Sequence, residues 1–319
     1  MVEMLWSSRS TDRSVLVVGA AGVDTIGLVD EPPQSGSTHS ANMRVSFGGV
    51  ARNVAENIAR LGLPVDLITA VGEEHIGDQL LAYTRACGVQ VGLSLRSKTD
   101  HTGAYLVVLD EEGTRYLALE DMSIIGELTP SVFRDNRSAV MDASVVFLDA
   151  NLPEDSIDAL IKMTGTAKVP VCADATSSRL AVRLIPHLDK LSMITANSSE
   201  ATTLVGGDFQ VTDSDSALHA ARRLVNRGVD LAVVTLAEFG VVYATSETSG
   251  HIPAVRTRVI DPTGAGDALT ATIIFGLLNE IPIDESVHLG VTAASLILRH
   301  RGTVLPGISL EKLYDELVA

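Results

Sequence analysis

The chain carries the heptapeptide Asp261-Pro262-Thr263-Gly264-Ala265-Gly266-Asp267, and a mostly apolar run over residues 268–278 follows at once. The apolar run predicts a buried helix, so the glycine-rich turn opens that helix. The first N–H groups of a helix have no partners within it, and the helix dipole is positive at that end. The turn is therefore a ready anion site, with the carboxylate of Asp267 beside the anion.

Phosphoryl transfer to a hydroxyl group needs these two parts together. The anion site holds the transferring phosphate, and the carboxylate accepts the proton of the hydroxyl. The competing interpretation is a tight turn before an acidic helix start, which the dipole favours without any chemistry. The complete heptapeptide on this helix favours catalysis, with Asp267 as the base and Gly264, Ala265 and Gly266 as the anion site.

Two motifs resemble one family. The heptapeptide resembles the C-terminal signature of the ribokinase-like (PfkB) carbohydrate and nucleoside kinases. Residues 47–55 (Phe-Gly-Gly-Val-Ala-Arg-Asn-Val-Ala) are similar to the family's N-terminal Gly-Gly-x-x-x-Asn-x-Ala motif, with Phe47 where the family often has proline. The resemblance extends from about Val15 to about Leu313. It implies an α/β protein with a three-layer α/β/α domain, a mainly parallel sheet and a small β-sheet lid, and a kinase that uses ATP and Mg²⁺.

Composition excludes several other classes. Apolar residues make up 46% of the 319 residues and aromatic residues 4%, which suits buried parallel strands covered by helices. The formal net charge of −16 argues against a nucleic-acid backbone as partner. Cys87 and Cys172 have no neighbouring cysteine, which excludes a disulfide scaffold. Residues 1–13 lack a signal-peptide core and no apolar run reaches ~18–20 residues, so we expect a cytoplasmic protein that does not enter a membrane.

Short apolar runs alternate with helical patterns along the chain, which predicts a parallel sheet with helical crossovers. Strands are expected at residues 15–19, 65–71, 145–148, 169–173, 193–194 and 231–234, and helices at 50–61, 79–86, 156–163, 215–227 and 286–298. Residues 1–13 are expected to form a flexible tail before one kinase domain over residues 14–319.

Residues 32–46 and 99–121 break this rhythm. The second segment has the pattern of a hairpin with its turn at 110–113, and the two together could form a small separate sheet. One interpretation is an exposed edge hairpin. The family resemblance implies instead a lid over the sugar site that also forms the contact of a homodimer.

The resemblance implies that Asp24, Gly48, Gly49 and Asn53 bind the sugar. A carboxylate such as Asp24 accepts two hydroxyl hydrogen bonds in fixed geometry. Glycines let a ligand approach the backbone, and the Asn53 amide both donates and accepts. The alternative for Asp24 is a residue that caps a turn at the end of the first strand.

The metal is assigned through residues 196–200 (Ala-Asn-Ser-Ser-Glu), which resemble the family's Pro-Asn-x-x-Glu motif. The resemblance implies that Asn197 and Glu200 help to hold Mg²⁺ and its waters, as oxygen ligands suit this ion. The same spacing also fits a helix capping box, and the two roles are compatible.

The nucleotide is assigned through residues 235–240 (Thr-Leu-Ala-Glu-Phe-Gly), which are similar to a family stretch that is usually Thr-Leu-Gly-x-x-Gly. Alanine at 237 costs stability if that position needs a positive φ. By resemblance, the residues in contact with the nucleotide are Asn197, Thr235, Ala237, Gly240, Thr263, Gly264, Gly266 and Ala293. Without the family, Ala293 would be assigned to the core.

Residues 120–122 (Glu-Asp-Met) and 148–152 (Leu-Asp-Ala-Asn-Leu) look most like the pseudouridine kinases within the family. Asp121, Met122 and Asn151 are then expected to face the sugar or the ring, although residues 120–121 also fit a solvated hairpin end. The resemblance implies phosphorylation of the pseudouridine 5′-hydroxyl. A ribokinase, another sugar or nucleoside kinase, and a non-catalytic nucleoside-binding regulator are the alternatives. Dependence on K⁺ and the oligomeric state are open.

Overall fold

The computed structural model describes residues 13–110 and 115–318. The predicted tail lies outside the described residues except for Arg13, and so does most of the predicted hairpin turn. Within the two described ranges, no helix has both the length and the apolar character that crossing a membrane requires.

The strands and helices alternate through most of the chain. The strands are β1 Val15–Val18, β2 Gly22–Leu28, β3 Asn42–Gly48, β4 Val65–Ile68, β5 Ala70–Gly72, β6 Leu95–Ser97, β7 Gly103–Leu109, β8 Arg115–Asp121, β9 Val146–Asp149, β10 Val171–Asp174, β11 Met193–Asn197, β12 Leu231–Thr235, β13 Val241–Ala244 and β14 Ser249–Ile252. The α-helices are α1 Val50–Arg60, α2 His75–Ala86, α3 Pro130–Asp135, α4 Arg137–Asp142, α5 Glu154–Ala167, α6 Ser178–Ala181, α7 Ser198–Val205, α8 Ser214–Asn226, α9 Ala265–Leu278, α10 Ile283–Leu298 and α11 Leu310–Val318. Three 3₁₀ segments span Ser123–Glu127, Val182–Lys190 and Ala237–Phe239.

The central sheet has eight strands in the order β14-β13-β12-β11-β10-β9-β1-β4. In this sheet the neighbouring strands β4, β1, β9, β10, β11 and β12 are parallel, and β13 and β14 form an antiparallel edge. Alternate residues of each strand enter different cores: Val15 and Val17 pack with α1, α9 and α10, whereas Leu16 and Val18 pack with helices on the opposite face. The predicted three-layer α/β/α fold with a mainly parallel sheet is confirmed.

The chain order reverses at β1. The strand β1 pairs with β4 on one side, and β9 to β12 continue from its other side. In open α/β sheets, ligands bind beyond the carboxyl ends of the strands at such a switch point. The residues after β1 and β9 therefore border the expected site.

A second, smaller sheet has the order β3-β2-β7-β8. The predicted insertions at 32–46 and 99–121 did not include β2, which pairs with both β3 and β7. The predicted strand at 65–71 is divided between β4 in the central sheet and β5, which pairs with β6 in a separate two-stranded sheet. These differences arise because pairing partners are set by register, which an apolar run does not encode.

The strand registers assign each side chain of the small sheet to one of two faces. One face, called here the inner face, carries the row Ser46, Asp24, Tyr105 and Glu120, one residue from each strand. The outer face carries the rows Met43, Gly27, Val108, Leu117 and Val45, Thr25, Leu106, Leu119.

Candidate active site

The turn before α9 has the geometry of an anion site. Gly264 is the N-cap at φ 84°, and a Cβ added there would lie 2.0 Å from the carbonyl oxygen of Thr303, so the position requires glycine. The N–H groups of Gly266 and Asp267 donate no hydrogen bond within the described part of the chain. Two free amides at the positive end of a fourteen-residue helix favour an anion.

Asp267 is connected to the N-terminal glycine motif. Asn53 on α1 donates from Nδ2 to Asp267 Oδ2 over 2.6 Å. Arg52 donates to the Asn53 side-chain oxygen, to Gly48 O at 3.0 Å and to Thr303 Oγ1 at 2.9 Å, and it also donates to the Glu56 carboxylate. The two sequence motifs, 214 residues apart along the chain, therefore meet in one hydrogen-bonded group.

The environment of Asp267 tunes its carboxyl group to near-neutral pH. Burial raises the pKa of Asp267 to about 7. The hydrogen bond from Asn53 and the positive charge of Arg52 lower this pKa, whereas the negative charges of Asp149 and Asp24 raise it further. A general base is most effective when its pKa lies near the working pH.

Asp24 lies on the inner face next to the glycine pair. It is buried, and a Cβ at Gly48 would lie 2.0 Å from its Oδ2, so the carboxylate packs directly on that glycine. Burial raises the pKa of Asp24 to about 6, with Arg52 opposing the rise and Asp261 adding to it. The structure thus brings Asp24, Gly48 and Asn53 together around Asp267.

Three charged residues at the site, Arg52, Arg44 and Asp149, were not predicted from the sequence. Arg52 lies inside the N-terminal glycine motif, but the motif does not reveal its complete burial. Arg44 on β3 forms an ion pair with Asp261 at 3.3 Å and ties the small sheet to the turn before α9. Asp149 accepts from the amides of Ala20 at 2.8 Å and Ala51 at 3.1 Å, and so fixes the switch point. A charged residue ending an apolar strand was the available signal for Asp149.

The predicted metal residues form the capping box of α7. Asn197 donates to both carboxylate oxygens of Glu200, at 2.8 Å from its backbone and 2.6 Å from its side chain. Nearby Asp174 was not predicted; its pKa is raised well above the ordinary value by burial and then by the charges of Glu200 and Asp267. Buried carboxylates that repel one another favour a bound cation, and their oxygens suit Mg²⁺.

A cleft of about 790 Å³ lies beside the turn before α9. Five of the predicted nucleotide residues line it: Asn197, Thr235, Ala237, Gly240 and Gly266. Ala237 has a φ of 47°, so the condition under which alanine was expected to cost stability is met. Thr263 and Gly264 lie in the adjoining turn, between the lining residues Pro262 and Ala265.

The structure places Ala293 elsewhere. It is fully buried in the core, and the residues of α10 that line the cleft are Val291, Ala294, Ser295 and Leu298. These four follow the i, i+3, i+4, i+7 spacing of one helical face, a signal that the sequence contained. The loop residues 254–257 and Val259 complete that wall and carry no comparable pattern.

A second cavity of about 370 Å³ lies where β8, the end of β9 and α6 meet. Asp121, Met122 and Asn151, which were predicted to contact substrate, line it together with Glu120, Arg179 and Arg183. Asp121 is engaged within the chain, because its Oδ1 accepts from the N–H of Ser123 at 3.1 Å and from its hydroxyl at 2.7 Å. Met122 also packs against the core.

Comparison with known proteins gives a consistent result. The family model described as "pfkB family carbohydrate kinase" matches residues 12–309. The pseudouridine kinase of Escherichia coli (strain K12) is 29% identical over 297 residues, 93% of this chain and 94% of the relative. The guanosine-inosine kinase of Exiguobacterium acetylicum is 27% identical over 289 residues, 90% of this chain and 94% of the relative. A carbohydrate kinase structure from Agrobacterium tumefaciens superposes with a TM-score of 0.82 at 26% identity, covering 96% of this chain and 97% of that one.

Proposed function

The chain belongs to the PfkB family of carbohydrate kinases, and from this membership we propose that it transfers the γ-phosphoryl group of ATP to the 5′-hydroxyl of pseudouridine. The observation that carries the catalytic part is the Asp267 carboxylate, hydrogen-bonded to Asn53 and adjacent to free amides at a helix N-terminus. The pseudouridine kinase relative and residues 120–122 support the choice of substrate.

The reaction needs no covalent enzyme intermediate. Asp267 takes the proton of the 5′-hydroxyl as that oxygen bonds to the γ-phosphorus and the bond from the γ-phosphorus to the bridging oxygen of ADP breaks. The free amides of Gly266 and Asp267 stabilise the negative charge on the transferring group. Asp24 and the Gly48-Gly49 backbone hold the ribose, and Asn53 orients the carboxylate of Asp267, the general base.

The 790 Å³ cleft takes the nucleotide in this proposal. Its apolar wall on α10 suits the flat adenine ring, and Thr235, Ala237 and Gly240 border the opposite side. Asn197, Glu200 and Asp174 would hold Mg²⁺ through its waters, since Asn197 lines that cleft, Glu200 is hydrogen-bonded to Asn197, and the charges of Glu200 and Asp174 repel one another. The metal ion supplies neutralisation of the phosphate charges.

A panel of phosphate acceptors tests the substrate. With ATP and Mg²⁺, we expect kcat/KM for pseudouridine to exceed that for uridine, guanosine, inosine and ribose by ~10-fold or more, because a buried polar group left without its partner costs about 1–3 kcal/mol. Turnover is followed by ADP release, with product identity from mass spectrometry. A preference for guanosine or inosine would favour the activity of the second relative, and a preference for ribose would favour a ribokinase. Nucleoside binding without any turnover would indicate the regulator.

The pH dependence of kcat/KM tests the assignment of Asp267 as the general base. We expect kcat/KM to rise with pH through a midpoint near 7 and to level off above it, because Asp267 must be deprotonated. Asn53→Ala removes a hydrogen bond that lowers the pKa, so the midpoint should move to higher pH. Asp24→Asn removes a negative charge that raises the pKa, so the midpoint should move to lower pH. Shifts in the same direction for both variants would contradict the assignment.

The homodimer remains a prediction. It is supported by the outer face of the small sheet, where Met43, Val45, Leu117 and Leu119 are between 48% and 66% exposed. Apolar side chains grouped on one face are typical of a protein contact.

A further inference from the structure

The inner face of the small sheet continues beyond Asp24. Neighbouring strands lie about 4.8 Å apart, so the row from Asp24 through Tyr105 to Glu120 extends roughly 10 Å across the sheet. The contacts of Asp24 with Gly48 and of Arg44 with Asp261 show that this face covers the site around Asp267. A ligand that extends from Asp24 along this row would reach Glu120.

Glu120 also lines the 370 Å³ cavity, so the row leads into it. Arg179, at the start of α6, lines the same cavity. Neither the Glu120 carboxylate nor the Arg179 guanidinium makes a hydrogen bond or ion pair within residues 13–110 and 115–318. Arg183 differs, because its NH1 is engaged by the carbonyl oxygens of residues 150, 151 and 152 at 3.1, 3.0 and 2.9 Å.

The charges around the cavity favour a neutral polar ligand over an anion. Glu120 and Asp121 contribute two negative charges, and Arg179 and Arg183 contribute two positive charges. A carboxylate accepts hydrogen bonds and a guanidinium only donates them. Unpaired groups of both kinds match a heterocycle with an N–H group next to a C=O group.

We propose that this cavity is the base subsite of the nucleoside, in which Glu120 accepts from a ring N–H, Arg179 donates to the adjacent ring carbonyl, and Tyr105 packs against the ring. The proposal rests on the proposed function and deepens it. The N–H at Glu120 is the one that pseudouridine presents where uridine has C–H, whereas both nucleosides have the adjacent carbonyl. A free sugar has neither group.

Strand alternation assigns this role to Glu120 rather than to Asp121. Asp121 also lines the cavity, but it is the next residue along β8, on the opposite face of the small sheet from Asp24, and Ser123 already occupies its Oδ1. The 120–122 motif alone could not separate the two carboxylates, because the choice depends on the register between β7 and β8.

The experiment compares kcat/KM for pseudouridine and uridine in four variants. Glu120→Ala should lower the value for pseudouridine by ~10- to 100-fold and leave uridine nearly unchanged, because only pseudouridine loses a partner. Glu120→Gln keeps an acceptor and should restore part of the loss. Arg179→Met should lower kcat/KM for both nucleosides by a similar factor. Glu311→Gln, an exposed carboxylate on α11, is the matched control and should change neither.

The outcomes separate this subsite from the proposed function. If the parent enzyme prefers ribose, both the proposal of a nucleoside substrate and the proposal of the base subsite are overturned. A parent enzyme that prefers pseudouridine, with an unchanged pseudouridine-to-uridine ratio in Glu120→Ala, overturns only the subsite. If the ratio collapses in a further variant, Asp121→Asn, and not in Glu120→Ala, the acceptor is Asp121 and the proposed subsite is overturned.

Discussion

Asp267→Asn is expected to lower kcat by ~10²–10⁴-fold while the dissociation constants of ATP and pseudouridine stay close to those of the parent enzyme. The substitution keeps the size of the side chain and its place in the first turn of α9, but the amide cannot accept the hydroxyl proton. The anion site is built from backbone amides, which the substitution does not remove. The loss therefore falls on the chemical step.

The measurement combines steady-state turnover with calorimetric titration of each ligand. Asp155→Asn is a matched control, because Asp155 is also an acidic residue in the first turn of a long helix but is exposed on α5. It should turn over normally. Near-parent kcat in purified Asp267→Asn, with correct folding, would remove Asp267 from the role of base.

Glu56→Gln is expected to destabilise the protein by about 3–5 kcal/mol at pH 7. Arg52 donates from NH1 to Glu56 Oε2 over 2.5 Å, and both side chains are 1% exposed. Arg60 holds the other oxygen at 2.7 Å. Replacing the carboxylate leaves the Arg52 guanidinium buried without its counter-charge, a loss that packing does not restore.

The pH dependence of this effect has a definite sign. Burial acts to raise the pKa of Glu56, but the charge of Arg52 and the hydrogen bonds from Arg60 and Arg52 outweigh it and hold the pKa below the ordinary 4.5. The stabilisation is therefore complete above pH 4.5 and is lost as pH falls through the pKa of the folded state. The parent should lose stability in acid more steeply than Glu56→Gln.

Urea unfolding at several pH values measures both the loss of unfolding free energy at pH 7 and its dependence on pH. Glu316→Gln is the control, because its ion pair with Arg299 is only partly buried and should contribute less than about 1 kcal/mol. If Glu56→Gln lowers the free energy of unfolding only slightly, as the control does, then Arg52 needs no counter-charge from Glu56.

The parts of the site that the sequence could predict lie within continuous motifs. The turn before α9, Asp267 and Asn53 each follow from local patterns, because helix starts and glycine turns are encoded by neighbouring residues. The hydrogen bond between Asn53 and Asp267 depends on how α1 packs against α9, so no local pattern contains it. The family resemblance supplied their common site, but not this contact.

Other parts of the site depend on helix rotation, strand register and partners from distant segments, which local patterns do not encode. Ala293 and the cleft-lining Ala294 are chemically identical, and only the helix rotation separates core from cleft. Glu120 and Asp121 differ in the same way, through strand alternation and register. Asp149 and Arg52 were visible as charged residues in apolar surroundings, but their partners come from distant segments.

The ion pair between Arg44 and Asp261 joins β3 of the small sheet to the turn that opens α9 beside the cleft. Asp261 also accepts from the N–H of Thr263 at 3.0 Å, so it holds the start of the glycine turn in place. Any displacement of the small sheet away from the central sheet removes the counter-charge of Asp261 and loosens that turn. Linkage then makes the effect mutual. A ligand that keeps the sheet seated strengthens anion binding at the turn, and an anion at the turn strengthens the grip on that ligand by the same factor.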